Sequence, residues 1–171
     1  MRRRKWGKAE TASELTKEES LAALTMEQAD ELYRSLPVTQ RKRGEFLSNP
    51  LQEIRECIEF LLYGEVTYEI RVWEFLDEMG GYRLNGGDEP LAAALLCTRD
   101  PLLYGLVNTT VSRALRKMGI APQFYPGESH AGRIQKVQET LWQVLGAANF
   151  KDFTVTDDFL EAVAKGMLDT A

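Results

Sequence analysis

The sequence predicts an all-α protein, folded as a single globular helical domain. Apolar residues recur at three- and four-residue spacing through most of the chain, the signature of helices with one buried face. Strand character is confined to Phe153-Thr154-Val155. A length of 171 residues, 44% of them hydrophobic, suffices for one good core. No internal repeat is present, and seven or eight helices are expected.

Residues 1–20 carry little large apolar surface beyond Trp6 and Leu15, which predicts a flexible basic tail ahead of a domain spanning 21–171. A first helix is expected over 21–36, with Met26, Ala29, Leu32 and Tyr33 on one face and Pro37 closing it. Residues 38–49 read as a basic linker containing Arg41-Lys42-Arg43. Pro50 suits a helix start with Asn49 as its cap. Leu51, Ile54, Cys57, Ile58, Leu61 and Leu62 then form a stripe ending at Gly64. A helix over 67–78 is expected to turn Ile70, Trp73 and Leu76 inward, with Gly80-Gly81 stopping it. Residues 89–97 are apolar nearly all round and predict a central, buried helix. Asp100-Pro101 opens a turn, and Val107, Val111, Ala114, Leu115 and Met118 stripe the next helix. Residues 121–130 read as loop. Ile134, Val137, Leu141, Trp142 and Leu145 mark a long helix. A last one is expected over 156–167, capped by Thr156 or Asp157, with Phe159, Leu160, Val163 and Met167 inward.

The formal charge of −5 is unevenly spread. Residues 1–43 hold ten Lys and Arg against seven Asp and Glu, whereas 44–171 hold eleven against nineteen. An acidic body disfavours strong non-specific attraction to phosphate, which a basic arm supplies in part. Cys57 and Cys97 sit in apolar context without metal-ligand spacing, as buried thiols of a reducing compartment do. With His130 the single histidine, a zinc site or a His-dependent triad has little to stand on, and no metal or other cofactor is expected. The longest apolar run, residues 91–97, is far short of the ~20 needed to span a bilayer. No secretory signal is read at the start, so the expected location is cytoplasmic, away from any membrane.

The densest signal lies in residues 84–119. Leu84, Gly86 and Ala92 fall on a Leu-x-Gly-hydrophobic-Gly-x-x-x-Ala pattern, continued by Ala93-Ala94-Leu95-Leu96. Val107-Asn108-Thr109-Thr110-Val111 follows, and Lys117-Met118-Gly119 ends the next helix. This order resembles the helix-hairpin-helix core of the DNA base-excision glycosylases, the HhH-GPD superfamily. The resemblance implies a glycosylase-like fold with Gly86 and Gly87 shaping the hairpin. Asp88 stands in the slot of the second hairpin glycine, and two chemically critical slots also depart from the pattern. Pro90 stands where bifunctional members carry the Schiff-base lysine, and Asn108 where the family carries its catalytic aspartate. A carboxylate stabilises the oxocarbenium-like state of glycosidic cleavage and helps activate water; an amide does neither. No catalytic residue is therefore assigned. Asn108 and Asp88 both read as N-caps of the helices they precede.

A looser series resembles helical modules that precede McrB-type AAA+ nucleoside triphosphatases in prokaryotic restriction and defence proteins. It runs Glu53-Ile54-Arg55-Glu56, Leu61-Leu62-Tyr63-Gly64-Glu65, Arg71, Tyr82-Arg83-Leu84-Asn85-Gly86, Asp100-Pro101, Tyr104 and Asn108. The resemblance implies an AAA+ partner, since this chain has no Walker motif. The function expected is that of a non-catalytic nucleic-acid-binding module in a prokaryotic defence or DNA-processing system. DNA contact is assigned to Gly86, Gly87, Asn108, Arg113, Arg116 and Lys117, assisted by Arg2, Arg3, Arg4 and Lys5, with Trp6 as a ring that stacks on a base. Arg113 and Lys117, four apart, share a helix face. Trp73 and Trp142 are assigned to the core. The alternatives are a protein-interaction module without DNA contact, and a divergent DNA N-glycosylase using Glu89 or Asp100.

Overall fold

The structure, a computed structural model, describes residues 5–168. Among them are ten α-helices, one 3₁₀ turn and no strand. The helices are α1 (Ala9–Leu15), α2 (Glu18–Ala22), α3 (Met26–Ser35), α4 (Arg43–Leu47), α5 (Leu51–Tyr63), α6 (Tyr68–Leu76), α7 (Glu89–Arg99), α8 (Thr109–Lys117), α9 (His130–Ala148) and α10 (Phe153–Ala164).

Helix α7 is the axis of the fold. Asp88 starts it by accepting a hydrogen bond from Leu91 N–H at 2.9 Å, and Pro90 occupies its first turn, where no N–H is needed. Every residue from Leu91 to Cys97 is buried. Helices α1, α5, α6 and α9 surround it. The alanines at 92–94 keep the axis thin, so four neighbours can approach. Helices α8 and α10 pair closely, Val111, Ala114 and Leu115 facing the side that carries Phe153, Leu160 and Val163. No helix of the described residues is long and apolar enough to cross a membrane.

Several expectations are corrected. The tail expected over 1–20 is folded from Ala9 onward: Ala12 and Thr16 are fully buried, and α1 packs on α3 and α7. Small residues permit this close approach, and they do not register as an apolar stripe. The linker at 38–49 contains the 3₁₀ turn Gln40–Lys42 and α4, anchored by buried Phe46 against the Tyr33 ring at 5.0 Å. The last helix begins at Phe153 instead of Thr156, because Asp152 Oδ1 caps Thr154 and Val155 N–H. Thr156 and Asp157 are consequently buried inside the helix, and the strand-like triplet is its first turn. Helix α6 turns Val72, Phe75 and Leu76 inward and leaves Ile70 exposed. Met167 is also exposed, and Trp142 is 44% exposed with one edge against the Phe153 ring at 5.3 Å. Trp73 is partly buried against the core.

Candidate nucleic-acid interface

Two loops bring α7 and α8 to one cleft, and each is pinned by a buried amide side chain. In the hairpin, Gly86 takes φ +74°, a left-handed conformation open to glycine. A Cβ there would lie 2.9 Å from Lys42 O and Phe46 N, so the turn is pressed against the start of α4. Asn49 fixes it: its Oδ1 accepts from Asn85 N–H at 2.9 Å, and its Nδ2 donates to Asn85 O at 3.0 Å and Phe46 O at 2.7 Å. Between α7 and α8, Gln138 of α9 does the same for Gly105, which it meets at 2.8 Å through both N–H and carbonyl. A Cβ at Gly105 would strike Leu141 at 2.7 Å. Both amides are buried and satisfied, and they fix the loop backbone beside the buried anchors Leu84 on one loop and Leu106 and Val107 on the other.

The cleft measures about 1290 Å³. Asp88 and Pro90 from the hairpin side line it together with Asn108, Thr109 and Thr110 from the start of α8. Its far wall is residues 33–42, and Lys5, Gly7, Lys8, Glu161 and Lys165 close the end. Asn108 Oδ1 accepts from Val111 N–H at 3.0 Å, so it is the helix cap. The N–H groups of Thr109 and Thr110 have no partner within the helix. Both residues line the cleft, at the positive end of a helix dipole that the neutral Asn108 amide leaves uncancelled.

Six cationic side chains line the cleft (Lys5, Lys8, Arg34, Arg41, Lys42, Lys165) against two acidic ones, Asp88 and Glu161. The protein as a whole carries −5, so the cleft reverses the sign of its surroundings. Lys42 reaches Asp88 at 3.1 Å, and Arg34 reaches Asp30 at 3.1 Å. Arg43 also holds Asp30, chiefly by a hydrogen bond that lowers the carboxyl below its ordinary range. Glu161 is lowered in the same sense by Lys165. Lys5 pairs with Asp157 and stands 3.6 Å from Glu161. Asp157 is buried with its second oxygen unpartnered, and that burial raises its carboxyl in spite of Lys5. Tyr33, buried and close to Asp88 and Glu45, is pushed up to about 12, first by its burial. Lys8 and Arg41 form no ion pair among the described residues.

The expected contact residues divide. Asn108 and Lys5 line the cleft; Gly86 and Gly87 shape the hairpin but back onto α4 and Leu84. Arg113 and Arg116 are exposed on α8, away from the cleft lining. Lys117 Nζ donates to Val163 O and Ala164 O, closing the end of α10. Arg2, Arg3 and Arg4 lie outside the described residues. Trp6 is partly buried, packed against the core with its Nε1 enclosed. Lys8 belongs to the basic stretch 1–8 that the sequence marks for phosphate contact, whereas Arg34 and Lys165 stand in no basic cluster and join it only through packing of α3 and α10. Glu89 and Asp100, the alternative carboxylates, are not among the cleft residues. Burial pushes the Cys57 thiol up to about 12 and the Cys97 thiol upward as well, so neither is a ready nucleophile. Among the described residues no group of three or more His, Cys, Asp or Glu could hold a metal ion.

No family model, curated protein or solved structure matches this chain.

Proposed function

We propose that the protein is a non-catalytic nucleic-acid-binding module whose contact surface is the cleft between the hairpin and the start of α8. The observation that carries this reading is the sign reversal: six cations against two anions in a concavity of a net acidic chain. A concave cationic site focuses potential onto a polyanion, while the acidic remainder suppresses adhesion elsewhere. Two free N–H groups at the start of α8 add a phosphate-sized anion seat. Asp88 caps α7 and pairs with Lys42, and Glu161 pairs with Lys5 and Lys165, so both cleft carboxylates have structural work. That favours binding over base excision by a divergent N-glycosylase. The hairpin and Asn108 sharing one cleft also supports the likeness to a glycosylase-type core. The prokaryotic defence or DNA-processing setting, with an AAA+ partner, is part of the proposal and is carried by the sequence resemblance.

The test is a fluorescence-anisotropy titration of DNA with the wild type, a Lys8→Glu/Arg41→Glu variant and an Arg113→Glu/Arg116→Glu variant. Loss of affinity in the first variant alone supports the cleft. Loss in the second alone moves the interface to α8, and absence of binding by the wild type rejects the function.

A second reading, a protein-interaction module, is favoured by exposed Leu102, Leu103 and Trp142. They are linked through Phe153, whose N–H bonds Pro101 O and whose ring meets Trp142. A Leu102→Ser/Trp142→Ser variant that loses a co-purifying partner while keeping DNA affinity would support it.

A further inference from the structure

We propose that the loop of residues 121–129 is a base-stacking platform beside the cleft, and that the nucleic acid held there is single-stranded where it crosses the loop. This rests on the cleft being the phosphate-binding surface. Tyr125 is 72% exposed and Phe124 41% exposed, adjacent in one short loop. Exposed rings of this size forfeit the burial that usually recommends an aromatic residue. These two are also held still. Lys136 Nζ sits 4.0 Å from the Tyr125 ring centroid and donates to Gln123 O at 2.9 Å. Glu128 accepts from Tyr125 N–H at 3.0 Å and pairs with Lys136 at 2.9 Å. Arg133 lies 4.8 Å from the Phe124 centroid. A cation on one face of each ring leaves the opposite face for a partner, and adds positive charge where a phosphate would pass.

The loop is joined to the cleft through that arginine. Arg133 Nε is 3.4 Å from Glu89 Oε1, and Glu89 stands between Asp88 and Pro90, both of which line the cleft. The cleft itself offers no stacking face: its one aromatic residue, Tyr33, is only 3% exposed. A strand lying along the cationic wall and continuing past the start of α7 meets the rings of this loop. Duplex bases are already stacked on one another, whereas an unpaired base gains a partner there.

The experiment uses the full chain with a single-stranded oligonucleotide carrying 2-aminopurine, and a duplex of the same length. Binding is read by anisotropy and stacking by quenching of the 2-aminopurine. The wild type is expected to quench the single strand and to bind it more tightly than the duplex. Tyr125→Ala should weaken single-strand binding roughly tenfold or more and abolish quenching, with duplex binding unchanged. Tyr125→Trp should restore both signals. Single-strand affinity and quenching that survive Tyr125→Ala/Phe124→Ala overturn the platform, while the cleft stands if Lys8→Glu/Arg41→Glu still weakens binding. An equal loss of duplex affinity overturns the single-strand assignment. A wild type that binds neither oligonucleotide removes the cleft reading and this inference with it.

Discussion

Asn49 and Asn85, 36 residues apart, exchange two hydrogen bonds, Asn85 N–H to Asn49 Oδ1 and Asn49 Nδ2 to Asn85 O. This pair ties the hairpin to the end of α4, and through α4 to the far wall of the cleft. Gln138 and Gly105 repeat the arrangement on the other loop, so the two helix starts facing the cleft are both set by amide side chains.

Asn49→Ala removes four side-chain hydrogen bonds, the longest of them to Glu45 O, from a residue that is 4% exposed and leaves a buried Phe46 carbonyl without this donor. A loss of about 2–3 kcal/mol is expected in urea unfolding. Ser48→Ala, at the exposed neighbour, should stay within about 0.5 kcal/mol. Equal effects at the two positions would show that the clamp carries no special weight.

Asn108→Asp separates capping from binding. Aspartate caps as well as asparagine and suits the helix dipole, so unfolding stability should hold or rise by a few tenths of a kcal/mol. A carboxylate beside an incoming phosphate at ~5 Å costs about 1–3 kcal/mol, and DNA affinity should fall accordingly. Tighter binding by the aspartate variant would contradict the anion seat.

Ala12→Leu probes the N-terminal helix. The Ala12 side chain is fully buried where α1 meets its neighbours. Overpacking there should cost about 1–3 kcal/mol by denaturation. A silent substitution would restore the picture of a dispensable tail.

Asp157 gives the protein a stability term that weakens toward neutral pH. Its carboxyl is raised in the fold, so between the unfolded value, about 3.9, and the raised folded value the native state binds the extra proton. Stability relative to an Asp157→Asn variant should therefore fall as pH rises through that window, then level off. A relative stability that climbs with pH across the same window would mean the Lys5 pair dominates burial.

Much of the fold was legible because stripes report burial directly: Leu51 to Leu62 and Leu91 to Cys97 gave α5 and α7. The two caps, Asp88 and Asn108, were legible because short polar side chains ahead of an apolar helix have few other roles. What failed to register was packing without large side chains. Helix α1 meets the core through Ala12 and Thr16, and α4 through the single ring of Phe46. Residue 49 was read as a cap for α5, whereas its amide is committed to a loop distant in sequence, a contact that no local pattern encodes. The cleft was the least visible feature. Of its six cations, Lys5 and Lys8 lie in the basic stretch 1–8 and Arg41-Lys42 form a second cluster, but nothing local shows that these two clusters meet each other, Arg34 and Lys165 across one cleft.

The salt dependence of DNA binding is the sharpest check on the cationic cleft. Titrations of one oligonucleotide at several salt concentrations should give a log–log slope reflecting the phosphates neutralised, about 0.7–0.9 per contact. Replacing Lys8 and Arg41 by alanine should lower affinity and make that slope shallower by ~1.4–1.8, the loss of two contacts. An unchanged slope in that variant, or a wild-type affinity that ignores salt altogether, would contradict a cationic cleft as the binding surface.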